Sequence, residues 1–363
     1  MSSILRTTGL AVIVATATAC SLSTTGFVGD IYYGYGPEAA LETAATFGSP
    51  EGERSLLELE RAVALLELGR YRECLQALER ARLRIEADVL PGGDERRGPP
   101  PWRPALHEAV LIATMEMTAA FGMQDGNAAA AAADRAVAAM DATACAACSF
   151  NFTRVLAALA YAEVGRFDDG LAALSGVVVV GRGDDLVEEL RRRLDAGPAG
   201  AEAEGLAPPP VEPRRSAVVA LLLGMGPTKV GDELAVNSSS TVDWVEYLPR
   251  TPQTVSWAAL ELGEGRTSAV LTDVHDLAVV GLKATAERAV SDGGRSLDWD
   301  TGDLRHWASL PATMQMIVAD IPQGEDGTDL VYYSRDGDEV YGETILWPVG
   351  WTGGRIFVVR RMP

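Results

Sequence analysis

Leu56-Leu57-Glu58-Leu59-Glu60-Arg61-Ala62-Val63-Ala64-Leu65-Leu66 leads into the turn Leu68-Gly69-Arg70-Tyr71 and then Cys74, Leu75, Leu78, Ala81 and Leu83. Apolar residues recur at near-helical spacing on both sides of a glycine. That pattern predicts two amphipathic helices joined by a tight turn. A second stretch has the same build: residues 155–161 lead to Gly165-Arg166-Phe167, followed by Gly170, Leu171 and Leu174. Gly69-Arg70-Tyr71 and Gly165-Arg166-Phe167 are one device used twice, which argues for an internal repeat. Between them, 104–121 and 127–140 supply another helical pair, with Asn127 placed to N-cap the Ala-rich helix. Residues 91–104, with Gly92-Gly93 and Pro99-Pro100-Pro101, read as an extended loop.

These pairs resemble tetratricopeptide repeats. The glycine stands in the inter-helix turn, Tyr71 follows to wedge between helices, and Ala62, Cys74 and Ala81 are small. Arg61-Ala62 departs from the Leu-Gly the repeat favours. The resemblance implies a helical-repeat domain over 37–195 whose groove holds a peptide or an envelope protein. Leu59, Ala62, Tyr71, Tyr161 and Phe167 are the candidate groove residues. The alternative is that the groove packs on the chain's own C-terminal part.

Residues 196–214 carry Gly197-Pro198, Gly205 and Pro208-Pro209-Pro210 and read as a linker, partly stiffened by polyproline II. Beyond it, strands are expected at 217–223, 233–236, 241–247, 255–262, 314–321, 329–334, 341–347 and 355–359. One helix interrupts them, with Asp273 as its N-cap and Val274, Leu277 and Ala278 on its buried side. The fold class is therefore α plus β in separate domains: tetratricopeptide-like helices, then a β-sandwich over 215–363 with one inserted helix. Six of the seven tryptophans fall in this part, where they fill a core or, less simply, form a sugar-stacking face.

Four segments of the C-terminal half together resemble a family of poorly characterised bacterial lipoproteins. They are Leu221 to Lys229 (with Gly224, Gly226 and Pro227), Leu271-Thr-Asp273-Val274, Asp303 to Pro311 (with Arg305, Trp307 and Leu310), and Ile321-Pro322-Gln-Gly324. The helical start around 56–71 resembles the same family. The resemblance implies an envelope role, through relatives encoded near the lipoprotein activator of a penicillin-binding protein. Residues 284–292 lack the more basic pattern of the relatives.

The N-terminus fits that placement. Arg6, an apolar run and small residues form a secretory signal over 1–19, too short to span a bilayer. Ala17-Thr18-Ala19-Cys20 resembles the lipobox of bacterial lipoproteins, which implies lipid attachment at Cys20 and a lipidated tether over 20–36. Cleavage by ordinary signal peptidase at the same bond is the alternative. Ser21, rather than Asp, favours the outer membrane, with the protein facing the periplasm. Cys145-Ala-Ala-Cys148 stays open between an inert pair, a structural disulfide, and redox or metal chemistry.

The chain has 51 acidic against 31 basic residues, a net charge of −20. Such a field repels phosphate backbones and anionic headgroups, which excludes nucleic acid and leaves the lipid anchor as the membrane contact. Gly224-Met-Gly226-Pro227-Thr-Lys229 lacks phosphate-loop spacing, and Pro227 removes an N–H that such a loop needs. Lys229 reads as pairing a carboxylate. His107, His275 and His306 are scattered, and no metal or cofactor is called for. The expected function is a non-enzymatic envelope scaffold or accessory factor, linked to cell-wall synthesis. The alternatives are a glycan- or peptidoglycan-binding module and a hydrolase centred on Arg305 and His306. Metabolic labelling with an alkyne fatty acid should mark the wild-type protein and not Cys20→Ala; label persisting in the variant would refute lipidation there.

Overall fold

The computed structural model describes residues 24–46, 51–88, 102–143, 145, 148–178, 183–203, 215–231, 245–249, 254–262, 266–267, 269–274, 276–280, 306–350 and 354–362. The signal, Cys20, Arg305 and the strand expected at 233–236 lie outside them. Helices come first: α1 (Thr24–Tyr35), α2 (Pro37–Thr46), α3 (Arg54–Glu67), α4 (Tyr71–Asp88), α5 (Leu106–Gly122), α6 (Gly126–Thr143), α7 (Asn151–Glu163), α8 (Phe167–Ser175) and α9 (Gly183–Ala203). No described helix is long and apolar enough to cross a membrane.

Three successive helix pairs are closed by the same left-handed turn. At the end of α3, Gly69 has φ +67° and the Arg70 amide returns to Leu65 O at 2.9 Å. At the end of α7, Gly165 has φ +77° and the Arg166 amide returns to Tyr161 O at 2.9 Å. After α5 the same geometry falls on Gln124, with φ +57° and the Asp125 amide on Ala120 O at 3.0 Å. A residue beyond the helix in this conformation satisfies carbonyls that the helix end leaves open. Glycine does so without strain, whereas Gln124 carries a Cβ into a crowded region.

Residues 24–35, within the segment expected as a tether, are instead a helix, and Val28, Ile31 and Tyr32 are buried. Their spacing of three and four puts them on one face. Helix α9 likewise runs to Ala203, into the expected linker. Helix α5 is apolar nearly all round, and neighbours cover it on every side.

Ten strands follow among the described residues: β1 (Arg215–Leu223), β2 (Thr228–Gly231), β3 (Val245–Leu248), β4 (Trp257–Leu260), β5 (Arg266–Thr267), β6 (Ala269–Asp273), β7 (Thr313–Ile321), β8 (Gly327–Tyr333), β9 (Glu339–Leu346) and β10 (Gly354–Met362). They form a four-stranded sheet in the order β10-β1-β7-β6, a β2-β3 pair, and a second four-stranded sheet in the order β5-β4-β8-β9. The first sheet is mixed, because β1 runs parallel to β10 and antiparallel to β7. Strand β6 ends at Asp273, the expected N-cap position, and helical residues begin at Val274.

Strand β1 is covered on both faces. Val218, Ala220 and Leu222 join Met314, Met316, Phe357 and Val359 in one apolar core with helices α3 to α9. Ala217, Val219, Leu221 and Leu223 point the other way, into a core shared with β4, β8 and β9. The order of layers is therefore helices, first sheet, second sheet. The helical and β-rich parts share one core rather than standing apart.

Replacing Gln124 by glycine should stabilise the fold by about 0.5–1 kcal/mol, the strain relieved less the added unfolded-state entropy. Chemical denaturation measures it; a loss of stability would show that the Gln side chain contributes more than its backbone strain costs.

Candidate functional site

Two places draw the functional residues together. The first is the segment 306–312, which threads between the helices and the first sheet. A backbone inside a core needs partners for every N–H and C=O. Here helix carboxylates supply the acceptors. The Trp307 amide donates to Glu108 Oε1 at 2.7 Å, and Glu108 Oε2 also accepts the Ala105 amide at the start of α5 at 2.8 Å. Glu60 on α3 accepts the amides of Ala308 at 2.7 Å and Ser309 at 3.1 Å. Both glutamates are buried. Charge-assisted hydrogen bonds of this kind are the stronger sort, which suits carboxylates removed from water.

The carbonyls are met from the other side. Tyr33 Oη on α1 donates to Ala308 O at 3.2 Å and Leu310 O at 3.0 Å. Arg361 on β10 donates to Ser309 O and to Tyr33 Oη. Its guanidinium lies 5.1 Å from the centre of the Tyr32 ring. Burial lowers the pKa of Arg361, but Tyr32, Tyr33 and Glu67 around it raise it further, so it stays charged. Tyr32 in turn donates to Glu67, whose carboxyl burial pushes above the usual range.

The motif residues of the β-rich half converge on this segment. Gly224 turns the chain after β1 with φ +69°, and its amide reaches Met362 O at 2.7 Å. The Gly226 amide donates to Leu310 O at 2.7 Å, and a Cβ there would stand 2.6 Å from that oxygen. Pro227, Trp307, Leu310 and Pro311 are buried, and Trp307 Nε1 donates to Ser309 Oγ at 3.1 Å. Asp273 closes β6 opposite Thr313, and the Val274 amide donates to Ala312 O at 2.8 Å. Lys229 pairs with Tyr247 in the β2-β3 ladder. Gly224, Gly226, Leu310, Ala312 and Val274 are thus joined to one another and to β10 by backbone hydrogen bonds.

The expected groove residues separate. Leu59 and Ala62 are fully buried in the helical core. The Tyr71 ring lies against Gly122, where an added Cβ would be 2.6 Å from it. Tyr161 is buried, donates to Asp134 at 3.0 Å, and carries Arg166 over its ring at 4.5 Å. Burial and Asp134 together raise its pKa. Phe167 lines an opening. Cys145 and Cys148 are joined by a disulfide after α6, and Cys74 is a buried thiol whose pKa burial raises. Among the described residues no group of three or more His, Cys, Asp or Glu could hold a metal.

The opening beside Phe167 is the second place. It is a cleft of about 240 Å³ between α7, α8, α9 and the start of β10. Its floor is Leu159, Ala162, Phe167, Leu190 and Leu194. Glu163, Arg193 and Arg355 stand at its edge, with Arg355 bonded to Glu163 at 2.6 Å.

Comparison with known protein families, curated proteins and solved structures finds no match to this chain.

Periodicity passed over Glu60, Glu108 and Arg355. Glu60 nevertheless left a signal: Leu56, Leu59, Glu60 and Val63 follow helical spacing, so a carboxylate sits within an apolar stripe. Glu60→Ala strands two buried amides and should cost about 2–5 kcal/mol, with Glu60→Gln costing less. Urea denaturation reads the loss, and faster amide exchange at residues 308 and 309 locates it. Unchanged stability and exchange would mean that water replaces the carboxylate there.

Proposed function

We propose that the chain is a non-enzymatic cell-envelope lipoprotein, a scaffold or accessory factor that holds an envelope protein or peptide and is linked to cell-wall synthesis. The observation that carries this reading is the cleft at Phe167, where apolar side chains meet Glu163, Arg193 and Arg355. It is open at one end of a helix array whose other apolar surface is taken by the chain's own sheet. The three pairs closed by one turn geometry support tetratricopeptide-like repeats, and the two sheets sharing a core support a β-sandwich.

Lipidation at Cys20 would place the anchor four residues before Thr24, where α1 begins, a reach of at most about 14 Å. Since α1 is built into the core, the anchored body would lie close to the bilayer rather than on a long leash. Outer-membrane attachment facing the periplasm follows from the Ser21 argument.

Glycan recognition has less support. Trp102, Trp307 and Trp347 are buried, and Trp257 gives one face to Tyr333 at 4.1 Å. The hydrolase reading has less still, because Trp307 beside His306 is committed to holding the helix–sheet joint.

A photo-crosslinking residue at position 167 of the lipidated protein, activated in cells, should trap one discrete partner. The same residue at the exposed Val340 on β9 should not, and Cys20→Ala should weaken capture. No adduct dependent on position 167, together with retention of the protein on purified peptidoglycan, would overturn the scaffold reading in favour of the glycan one.

A further inference from the structure

We infer that the Phe167 cleft recognises the free carboxyl terminus of a peptide that ends in a large apolar residue. The inference rests on the scaffold reading and names the chemistry of what is held. The cleft's size sets the first limit. At about 240 Å³ it falls below the roughly 300–1,000 Å³ of cofactor and drug pockets and above the roughly 150 Å³ that accepts benzene. One ring-sized side chain and its terminal carboxylate fit that volume; a long acyl chain does not.

The floor sets the second. Leu159, Ala162, Leu190, Leu194 and the edge of Phe167 offer no polar side-chain group, so the inserted part must be apolar. Charge sets the third. The chain as a whole carries −20, yet two guanidiniums and one carboxylate stand at this edge. Arg355 spends one Nη on Glu163, and its Nε is buried out of reach of a ligand, so its second Nη is the donor left for the cleft. Arg193 gives its Nε to Glu189 at 2.6 Å and keeps its other donors. A guanidinium fork with donors to spare suits a carboxylate, which it binds through two parallel N–H groups. A basic peptide finds only Glu163, already engaged. The occupant is therefore anionic at its tip and apolar just behind it.

The test uses the full-length protein and fluorescein-labelled Ala-Ala-Leu-Phe with either a free carboxylate or a C-terminal amide, read by anisotropy. The free acid should bind saturably and the amide at least tenfold more weakly. Arg355→Gln should lose that preference and Arg355→Lys recover part of it, while Leu190→Trp should block both peptides by filling the floor. Arg355 is partly exposed, so its variants should fold, whereas Leu190 is buried, so Leu190→Trp counts only with a melting curve that matches the wild type. Equal binding of acid and amide, binding unaffected by Arg355→Gln, or displacement of the acid by laurate would overturn the inference. The two readings fail separately. Crosslinking at position 167 without any preference for the acid leaves a scaffold with a different ligand; acid binding without a cellular adduct removes the scaffold and keeps the site.

Discussion

A nine-residue strand that is apolar on both faces has to be covered twice, and the arrangement of this protein follows from that constraint on Arg215–Leu223. Each buried leucine is worth about 1.5–3 kcal/mol, so leaving either face of β1 in water would cost more than a domain's usual margin of stability. The helices cover one face and the second sheet covers the other. Strand β10 returns from the end of the chain to lie parallel beside β1, and β7 lies antiparallel on its other side. The helices find in the sheet the apolar surface that covers their exposed side.

Joining helices to a sheet through a loop raises a polar problem that apolar burial cannot solve. Of the four amides and four carbonyls of residues 307–310, Leu310 N–H meets Trp307 O, which leaves three of each in need of partners. Glu60 and Glu108 meet the amides; Tyr33, Arg361 and Gly226 meet the carbonyls. The buried carboxylates and the buried guanidinium lie on opposite sides of one short segment, so neither sign of charge is left alone in a medium of low dielectric. The contacts are directional, unlike the apolar ones, and they fix the register in which sheet meets helices. They also bring α1 into the joint, because Tyr32 and Tyr33 work on either side of Arg361.

Local patterns were legible in the sequence and long-range partnerships were not. The pairs on either side of Gly69 and Gly165 were readable because spacing and a turn glycine agree. The turn at Gln124 was not, because its left-handed backbone carries no glycine to announce it. Residues 217–223 were readable as a strand, but an unbroken apolar run also marks coverage on both faces, and that is what joins the two halves. The segment from Trp307 to Pro311 stood out in the sequence through a family resemblance, which says nothing of what holds its backbone amides. Their acidic partners stand 199 and 248 residues away, where no period or motif reaches. The cleft is hidden for the same reason, since Arg355 meets Glu163 only once β10 has returned to β1.

The position of that cleft follows from the joint. The sheet crosses the helix array along α3, α5 and α7 and is held there by the segment 307–310. Its edge strand β10 starts at Gly354, beside the end of α7, and leaves the last two helices, α8 and α9, only partly covered. Phe167 and Leu190 stand on these two helices, and Arg355 is the first side chain of the strand to reach them. A longer β10 or an added strand outside it would close the gap; a shorter one would leave the apolar floor without cations at its edge. The opening lined by apolar side chains and two arginines therefore lies where sheet and helix array end together, and its shape depends on the contacts that build the fold.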